Sequence, residues 1–581
     1  MSMSCKIVTQ TAQNHTQQQL TCVTTTRYYM GVQAPPAGAP PGTPNATCSF
    51  HGGDLYNRTS GLRFGADFTS RAWANPREAV VHMMQNSWGS VQYALAAVDR
   101  EASQLHFAFG GWQNGRSGGA GRFYVENVLE ELDSPGEWYY NQTTQQLYLY
   151  PNATADGPSI DELAATALES VVVLRGSQAV PVRDVIFKGI EFGRTEPTFL
   201  RPYERPPSGD WAIHRGGAVL IEGAINASFT DTRFVDTGGN ALTFSRYAKN
   251  CSVVGSEFVR LGDSAVVAYG EVDPDTGDGV ADEYPSGLKV VGNHMHEIGV
   301  WGKQTSCFFQ GISGNNLFAD NVCYNGPRAL VNVNDGFLGM TRISGNVLFN
   351  PCRESHDHGA FNSWDRTPMR FCTHDSWGEP TWTPAVTQIT ENLILNAYGG
   401  SHNIDHDDGS EHYNSSANVV AFAQACKGNF GAHRRCDHNL VLLPGAKMYS
   451  PSAGGGGGNC ASESDNGRSS TFADKHFDNN TCVLLGRGGK ATAYSWRSCD
   501  VSTRNFNETC WGDGRNRFLV PAGIGVVVGC GSQQVPLASW QADFGRERGG
   551  SVAPLPSVGA LMAMARRVLG LPEAEHSKRL E

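Results

Sequence analysis

The chain has 581 residues, with 45 Lys and Arg against 56 Asp and Glu and a formal net charge of −11. That balance argues against a nucleic-acid or anionic-membrane partner, each of which needs a basic face, and no run of about 18 apolar residues is present to span a bilayer. Only 17% of residues are charged against a usual ~25%, while 68 are glycine, which excludes an architecture of long salt-bridged helices and suggests short strands joined by many turns.

Residues 1–50 read as a polar irregular segment with a Pro/Gly/Ala stretch at 34–44. The opening MSMSCK holds no apolar leader core and is read as trimmed. Residues 51–175 read as a β-rich, sandwich-like accessory region. Within it, 138–140 (WYY), a polar turn and 147–150 (LYLY) form a hairpin pattern, and 123–132 (FYVENVLEEL) reads as a strand running into a short helix.

Beyond about 176 the chain repeats itself. Residues 216–239 align with 240–263 at 24 residues each, and a further unit covers 305–328. Half-units recur at 288–299 (LKVVGNHMHEIG), 341–350 (TRISGNVLFN) and 387–396 (TQITENLILN). Short strands at this period, with no helical pattern between them, predict an all-β fold, a right-handed parallel β-helix over 176–450 with an insertion near 272–286. Residues 451–581 read as Cys- and Gly-rich terminal rungs, ending in an amphipathic helix at 558–571 that caps the solenoid.

The 15 cysteines form no CxxC or CxxH pair, which disfavours a zinc ribbon and favours disulfides in an oxidising compartment. Ten Asn-x-Ser/Thr sequons, from Asn14 to Asn507, point the same way, to a secreted glycoprotein.

Rungs of a parallel coil stack about 4.8 Å apart, so residues one repeat apart form columns. Reading the residue before each corner gives Glu222, Ser245, Tyr269, Gln310, Asp335, then Asp365 or Trp364, then Asp408. A slip of one residue would turn a side chain to the other face. Polar chemistry gathers in the lower half of the column: NVNDG at 332–336, ESHDHG at 354–359, NSWDR at 362–366 and DHDDG at 405–409. Asp335 and Asp357 are 22 residues apart, about one rung, which would bring their carboxylates to roughly 5–10 Å. Glycoside hydrolysis needs such a pair, one neutral to protonate the leaving oxygen and one ionised as nucleophile or base. Trp211 and Trp364 could stack on sugar faces, and His358, Asn362 and Arg366 could bind hydroxyls. His214, Gln310, Asn334, Asp405 and Asp407 complete the expected substrate contacts. Any single Asp-Gly also serves as a corner turn; four acid-bearing segments on successive rungs weigh against that for the set.

Other features carry less. The acidic stretch 273–283 departs from calcium-loop spacing and reads as a solvated insertion. His294 and His296 share a strand face but have no third ligand nearby in sequence, so neither metal nor cofactor is expected. The five glycines at 454–458 read as a flexible loop.

The stretches GEWYYNQTTQQLYLYP (136–151), GDWAIHRGGAV (209–219), NDGF (334–337), RESHDHGAFNSWDR (353–366) and DHDDGS (405–410) resemble the right-handed β-helix proteins of glycoside hydrolase families 120 and 141. Those families contain β-xylosidase and α-fucosidase activities, and the resemblance covers about 50–440. It implies two catalytic carboxylates on adjacent rungs, carried over to Asp335, Asp357, Asp365 and Asp408, and an accessory β-sandwich near the N-terminal portion. An acid of the xylosidase type would be Glu354. The reading is a secreted, monomeric hydrolase of neutral-sugar glycans. The alternatives are a polysaccharide lyase or uronate epimerase, whose substrate an acidic cleft would repel, and a non-catalytic carbohydrate-binding protein.

Overall fold

The computed structural model describes residues 5–7, 61–64, 72–85, 89–113, 120–150, 165–204, 211–271, 282–334, 338–355, 358–364, 370–374, 380–400, 402–429, 431–444, 458–464, 474–497, 499, 501–502 and 514–572. The chain divides into two compact units. One comprises Met1–Glu169 with Thr195–Glu204 and Ala212–His214; the other holds the remainder.

The first unit is built from antiparallel hairpins. Its five-stranded sheet runs Gly61–Arg63, Gln104–Gly110, Gly89–Asp99, Val80–Gln85, Ala120–Glu126. Alternating apolar residues give it a buried face of Leu62, Val81, Met83, Val91, Leu95, Leu105, Phe107, Phe123 and Val125. The expected hairpin is present as Trp138–Asn141 paired with Gln146–Leu149. The segment after Glu126 holds one 3-10 turn, Leu129–Glu131.

The second unit is a parallel β-helix. Three long sheets, of 15, 10 and 12 strands, each take one strand from nearly every rung. The repeat read from sequence is the rung: Ser228 pairs with Ser252 in the second sheet and Arg233 with Glu257 in the third, 24 residues apart in both cases. The coil begins with Val172–Arg175, which pairs with Val219–Ile225 in the first sheet. Inward residues form one continuous apolar core. Rings stack along it, as in Phe192, Phe234 and Phe258 at centroid separations of 5.1 and 4.6 Å, each contact adding about 0.5–1.5 kcal/mol beyond burial.

One corner is built the same way on every central rung. Asp231, Gly255, Gly292, Asp320, Gly345, Glu391, Ala417 and His438 follow equivalent strands of the second sheet, all with φ between 51° and 69°. The left-handed residue bends the chain, and the next residue turns inward. From the third of these corners on, that residue is an asparagine, and Asn293, Asn321, Asn346, Asn392, Asn418 and Asn439, continued by Asn480 and Asn516, form a ladder, all buried. From Asn321 on, each side-chain oxygen accepts from the backbone N–H and amide of the preceding member, as Asn392 Oδ1 does from Asn346 at 3.0 and 2.9 Å, and Asn293 Oδ1 accepts from Ser256 N–H at 2.9 Å. Each amide also donates to a backbone carbonyl, as Asn392 does to Ile343 at 2.9 Å. Glu547 ends the ladder by accepting from Asn516 N–H at 2.9 Å.

Among the described residues, four disulfides lie within the coil: Cys307–Cys323, Cys426–Cys436, Cys460–Cys482 and Cys499–Cys530. The C-terminal helix is present at Val558–Val568, with Ser557 Oγ accepting from Ala560 N–H. It lies on the flank of the third sheet, against Val419, Leu440, Val483 and Leu519. The end of the core is closed instead by the shorter helix Leu537–Phe544, whose buried Trp540 donates to Tyr494 Oη at 2.9 Å. No described helix is long and apolar enough to cross a membrane.

Candidate functional site

The site lies on the outward face of the first sheet, where four short strands stack in register: Val331–Val333, Phe361–Ser363, His402–His406 and Gln424–Asn429. The strand period of two sends Val331 and Val333, Phe361 and Ser363, Ile404 and His406 into the coil. The residues between them form an outward column of Asn332, Asn362, Asp405 and Lys427. Glycine at 428 serves this arrangement. A Cβ there would collide with Glu463 and Arg434 of an interior ion cluster, so Gly428 occupies the inward position while Lys427 and Asn429 face out. Within that cluster Arg434 and Lys475 donate to Glu463 Oε1 at 2.7 and 2.8 Å.

The charged end of the column is compact. Lys427 Nζ stands 2.9 Å from Asp405 Oδ1 and 3.0 Å from Asp407 Oδ1. Both oxygens touch one ammonium, so they are no more than about 6 Å apart. Asn429 Nδ2 donates to Asp407 Oδ1 at 3.2 Å and to Asp408 Oδ1 at 2.5 Å. Asp405 is fully buried, whereas Asp408 is half-buried. Beneath them His406 bonds Ser363 and Ser415 through its two nitrogens, at 3.0 and 3.1 Å. Burial, then the charges of Arg434 and Lys427, hold its pKa well below the ordinary 6.5, so the ring is neutral.

Asn332 and Asn362 differ from the ion-paired and hydrogen-bonded residues at the charged end of the column. Both are fully buried, and neither the oxygen nor the nitrogen of either amide has a hydrogen-bond partner. Each such buried amide costs about 1–3 kcal/mol if left unpaired, and native proteins keep few of them outside functional positions.

The register corrects part of the sequence reading. Glu222, Ser245 and Tyr269 do stand in one column, but Tyr269 pairs with Gly311. Gln310 faces the coil interior, donating to Ser313 O and accepting from Asn316 and Thr341. The consecutive Phe308 and Phe309 suit either face, so apolar alternation alone did not choose between the two registers. Trp211 is fully buried and its ring is already engaged, stacked on Phe309 at 5.4 Å with Arg328 4.8 Å from its centroid. Asn334 is spent on Trp211 O at 2.7 Å. His358 is buried against the guanidinium of Arg328, and Trp364 is 7% exposed.

Two more expected residues have other attachments. His214 belongs to the first unit, bonding Glu169 at 2.7 Å and Pro202 O at 2.9 Å. That hydrogen bond is the main cause of the lowered Glu169 pKa. Glu354 accepts from Lys303 Nζ at 2.9 Å. Asp335, Asp357, Asp365 and Arg366 lie outside the described residues. The sequence reading did not select Asn332, Lys427 or Asn429. Their signal is a polar residue between two inward-facing small or apolar ones, as in VNV and CKG, and it becomes visible only once the rungs are aligned.

No family model matches the chain, and no curated protein matches it in sequence. Among solved structures, a glycoside hydrolase is similar with a TM-score of 0.51 and 15% identity, over 66% of this chain and 71% of that one. The tailspike protein of E. coli bacteriophage HK620, solved in complex with a pentasaccharide, gives a TM-score of 0.34 and 11% identity over 63% and 56% of the two chains. The first likeness shows a shared parallel β-helix fold.

Proposed function

We propose that this chain is a secreted glycoside hydrolase that cleaves neutral-sugar glycans on the outward face of its first sheet. The observation that carries the reading is the column itself: two carboxylates within about 6 Å across one ammonium, continued by two buried amides without partners. Fold alone would not support it, since one fold hosts many chemistries.

In this reading Asp405 and Asp407, paired with Lys427, act as the ionised side of the reaction. Asp408, half-buried and accepting from the neutral Asn429 amide, is the proton donor to the leaving oxygen. Two acids on one ammonium with a third beside them is the crowding of like charge under which one carboxyl keeps its proton. Asn429 Nδ2 lies 3.2 Å from Asp407 Oδ1 and 2.5 Å from Asp408 Oδ1, so base and acid oxygens are no more than about 6 Å apart, a spacing that suits the ~5–5.5 Å of retaining enzymes better than the ~6.5–9.5 Å of inverting ones. Asn332 and Asn362 each offer two donors and an acceptor, a set suited to vicinal hydroxyls. Asp335 and Asp365 directly follow Asn334 and Trp364 in sequence and stay in the reading as further acids of the same rungs. Four disulfides and ten sequons support a secretory route.

Lys427 favours one second reading. A lyase or epimerase needs a cation beside a base to hold a uronate, and Lys427 supplies the cation. Its charge is already met by two carboxylates, leaving the face net negative, so neutral sugars remain preferred. Incubation with aryl glycosides and with plant and algal polysaccharides separates the readings. Released aryl alcohol or new reducing ends, with retained anomeric configuration, support the hydrolase. An unsaturated sugar absorbing in the ultraviolet identifies a lyase. Binding without either product leaves only a carbohydrate-binding protein.

A further inference from the structure

The outward face of the third sheet carries a second group of side chains, which the proposed carbohydrate site does not use. Strand Glu257–Val259 pairs with His294–His296, which pairs with Val322–Tyr324. Alternation buries Met295 in the core and turns His294 and His296 outward together, their ring centroids 4.7 Å apart. The register sets Glu257 opposite His294. Glu257 Oε1 stands 3.9 Å from His296 Nε2, beyond hydrogen-bond distance. One donor atom from each of the three residues lies within 4.8 Å of the others.

The group is held from both sides. Arg233 Nε donates to Glu257 Oε2 at 2.6 Å and its Nη1 to Glu191 at 2.8 Å, which fixes the carboxylate and leaves Oε1 turned toward the imidazoles. Tyr324 stacks on His296 at 4.9 Å with the planes 1° apart, and Phe349 backs Tyr324 at 4.5 Å. A ring held in that stack has little rotational freedom to lose on binding, which is the support a ligating imidazole normally needs.

Two imidazoles and one carboxylate are the donors that borderline divalent transition metals prefer. Zinc takes such a set tetrahedrally, with bonds of about 2.0–2.1 Å and a fourth position open to water. Tetrahedral bonds of that length separate ligand atoms by roughly 3.3 Å, so modest side-chain rotation converts the present spacing into a coordination shell. We infer that Glu257, His294 and His296 form a site for one divalent transition-metal ion, zinc by donor chemistry, which ties two consecutive rungs together on the third sheet. In sequence only the histidine pair is apparent; Glu257 lies 37 residues before His294 and is brought beside it by one turn of the coil.

The test uses the full chain after treatment with chelator. Zinc is titrated by calorimetry, and cobalt(II) by the visible absorption that distinguishes tetrahedral from octahedral coordination. One ion per chain is expected, with a tetrahedral cobalt spectrum and a zinc-dependent rise in Tm that magnesium does not produce. His296→Ala and Glu257→Gln should each weaken zinc binding at least ~10-fold, while Arg233→Met, which removes only the carboxylate's support, should weaken it about tenfold or less. All three should keep the parent Tm in chelator, which separates lost ligation from lost folding. Zinc uptake unchanged in the doubly substituted His296→Ala, Glu257→Gln chain overturns the inference, as does no uptake at millimolar zinc. Either result would leave the trio as part of the stacked-ring ladder.

Discussion

The coil contains two sets of buried asparagines that behave in opposite ways. The eight of the interior ladder, Asn293 to Asn516, are no more than 3% exposed, and every side chain both accepts from one neighbour and donates to another group. Asn332 and Asn362, on the outward face of the first sheet, are 0% exposed and have no partner for either polar atom. Residue type and burial are the same, so hydrogen bonding alone separates them. The ladder offsets the desolvation of each amide locally and acts as structure. The outward pair leaves that cost unmet and adjoins Asp405, Asp407, Asp408 and Lys427, which is the pattern of groups kept for a ligand.

The largest effect expected from this division falls on the acids. Asp407→Asn and Asp408→Asn should each lower kcat by about 10²–10⁴-fold, the usual worth of a positioned acid or base, while a thermal melt shows Tm near the parent's. Asp405→Asn should act similarly, with some change in Tm because its carboxylate is fully buried against Lys427. Full turnover in all three variants would remove these residues from the chemistry. The reading would then pass to the acids at 335, 357 and 365.

How much of this was legible beforehand depended on whether the signal was local. The period of 24 and the half-units such as TRISGNVLFN came from single rungs, so the β-helix could be read. Those half-units also carry the ladder, because each holds a left-handed corner residue followed by asparagine: Gly292-Asn293, Gly345-Asn346, Glu391-Asn392. The site was harder to read. Asn362, Asp405, Asp407 and Asp408 stood out as polar residues in compact motifs. Lys427 did not, since its role exists only through a register pairing with Asp405 one rung away. Trp211 misled because an aromatic residue in a suspected cleft reads equally well as a sugar platform or as a lid over Phe309, and the ring's contacts with Phe309 and Arg328 decide between them.

The foot of the ladder gives a pH test of its structural role. Glu547 is buried beneath Asn516, and burial raises its carboxyl from 4.5 to about 7 against the hydrogen bonds from Asn516 and Tyr494. Between those pH values the folded chain binds more protons at this site than the unfolded chain, so stability is greatest below 4.5 and falls as pH rises through 7. The loss amounts to about 3 kcal/mol. Glu547→Gln keeps an oxygen for the Asn516 donors but no longer titrates. Urea denaturation from pH 4.5 to 7.5 should therefore show the parent losing stability relative to the variant by roughly that amount. A parent-minus-variant difference that stays flat with pH would mean that the ladder ends on an ordinary, solvated carboxylate.

The smallest effects bear most directly on the comparison between the two asparagine sets. Asn392→Ala removes the partner of Asn346 N–H and Nδ2 and of Ile343 O, leaving buried groups unpaired. It should cost about 2–3 kcal/mol in denaturant unfolding and leave KM unchanged in the folded fraction. Asn362→Ala strands no partner, because none exists, and removes an amide that was buried at a cost. Its stability should equal or slightly exceed the parent's, while KM rises about tenfold, the worth of one or two lost hydrogen bonds to substrate. If Asn362→Ala instead destabilised the chain as Asn392→Ala does and spared KM, the outward asparagines would be part of the scaffold. Opposite responses from two equally buried asparagines would show that the outer column is kept for a sugar.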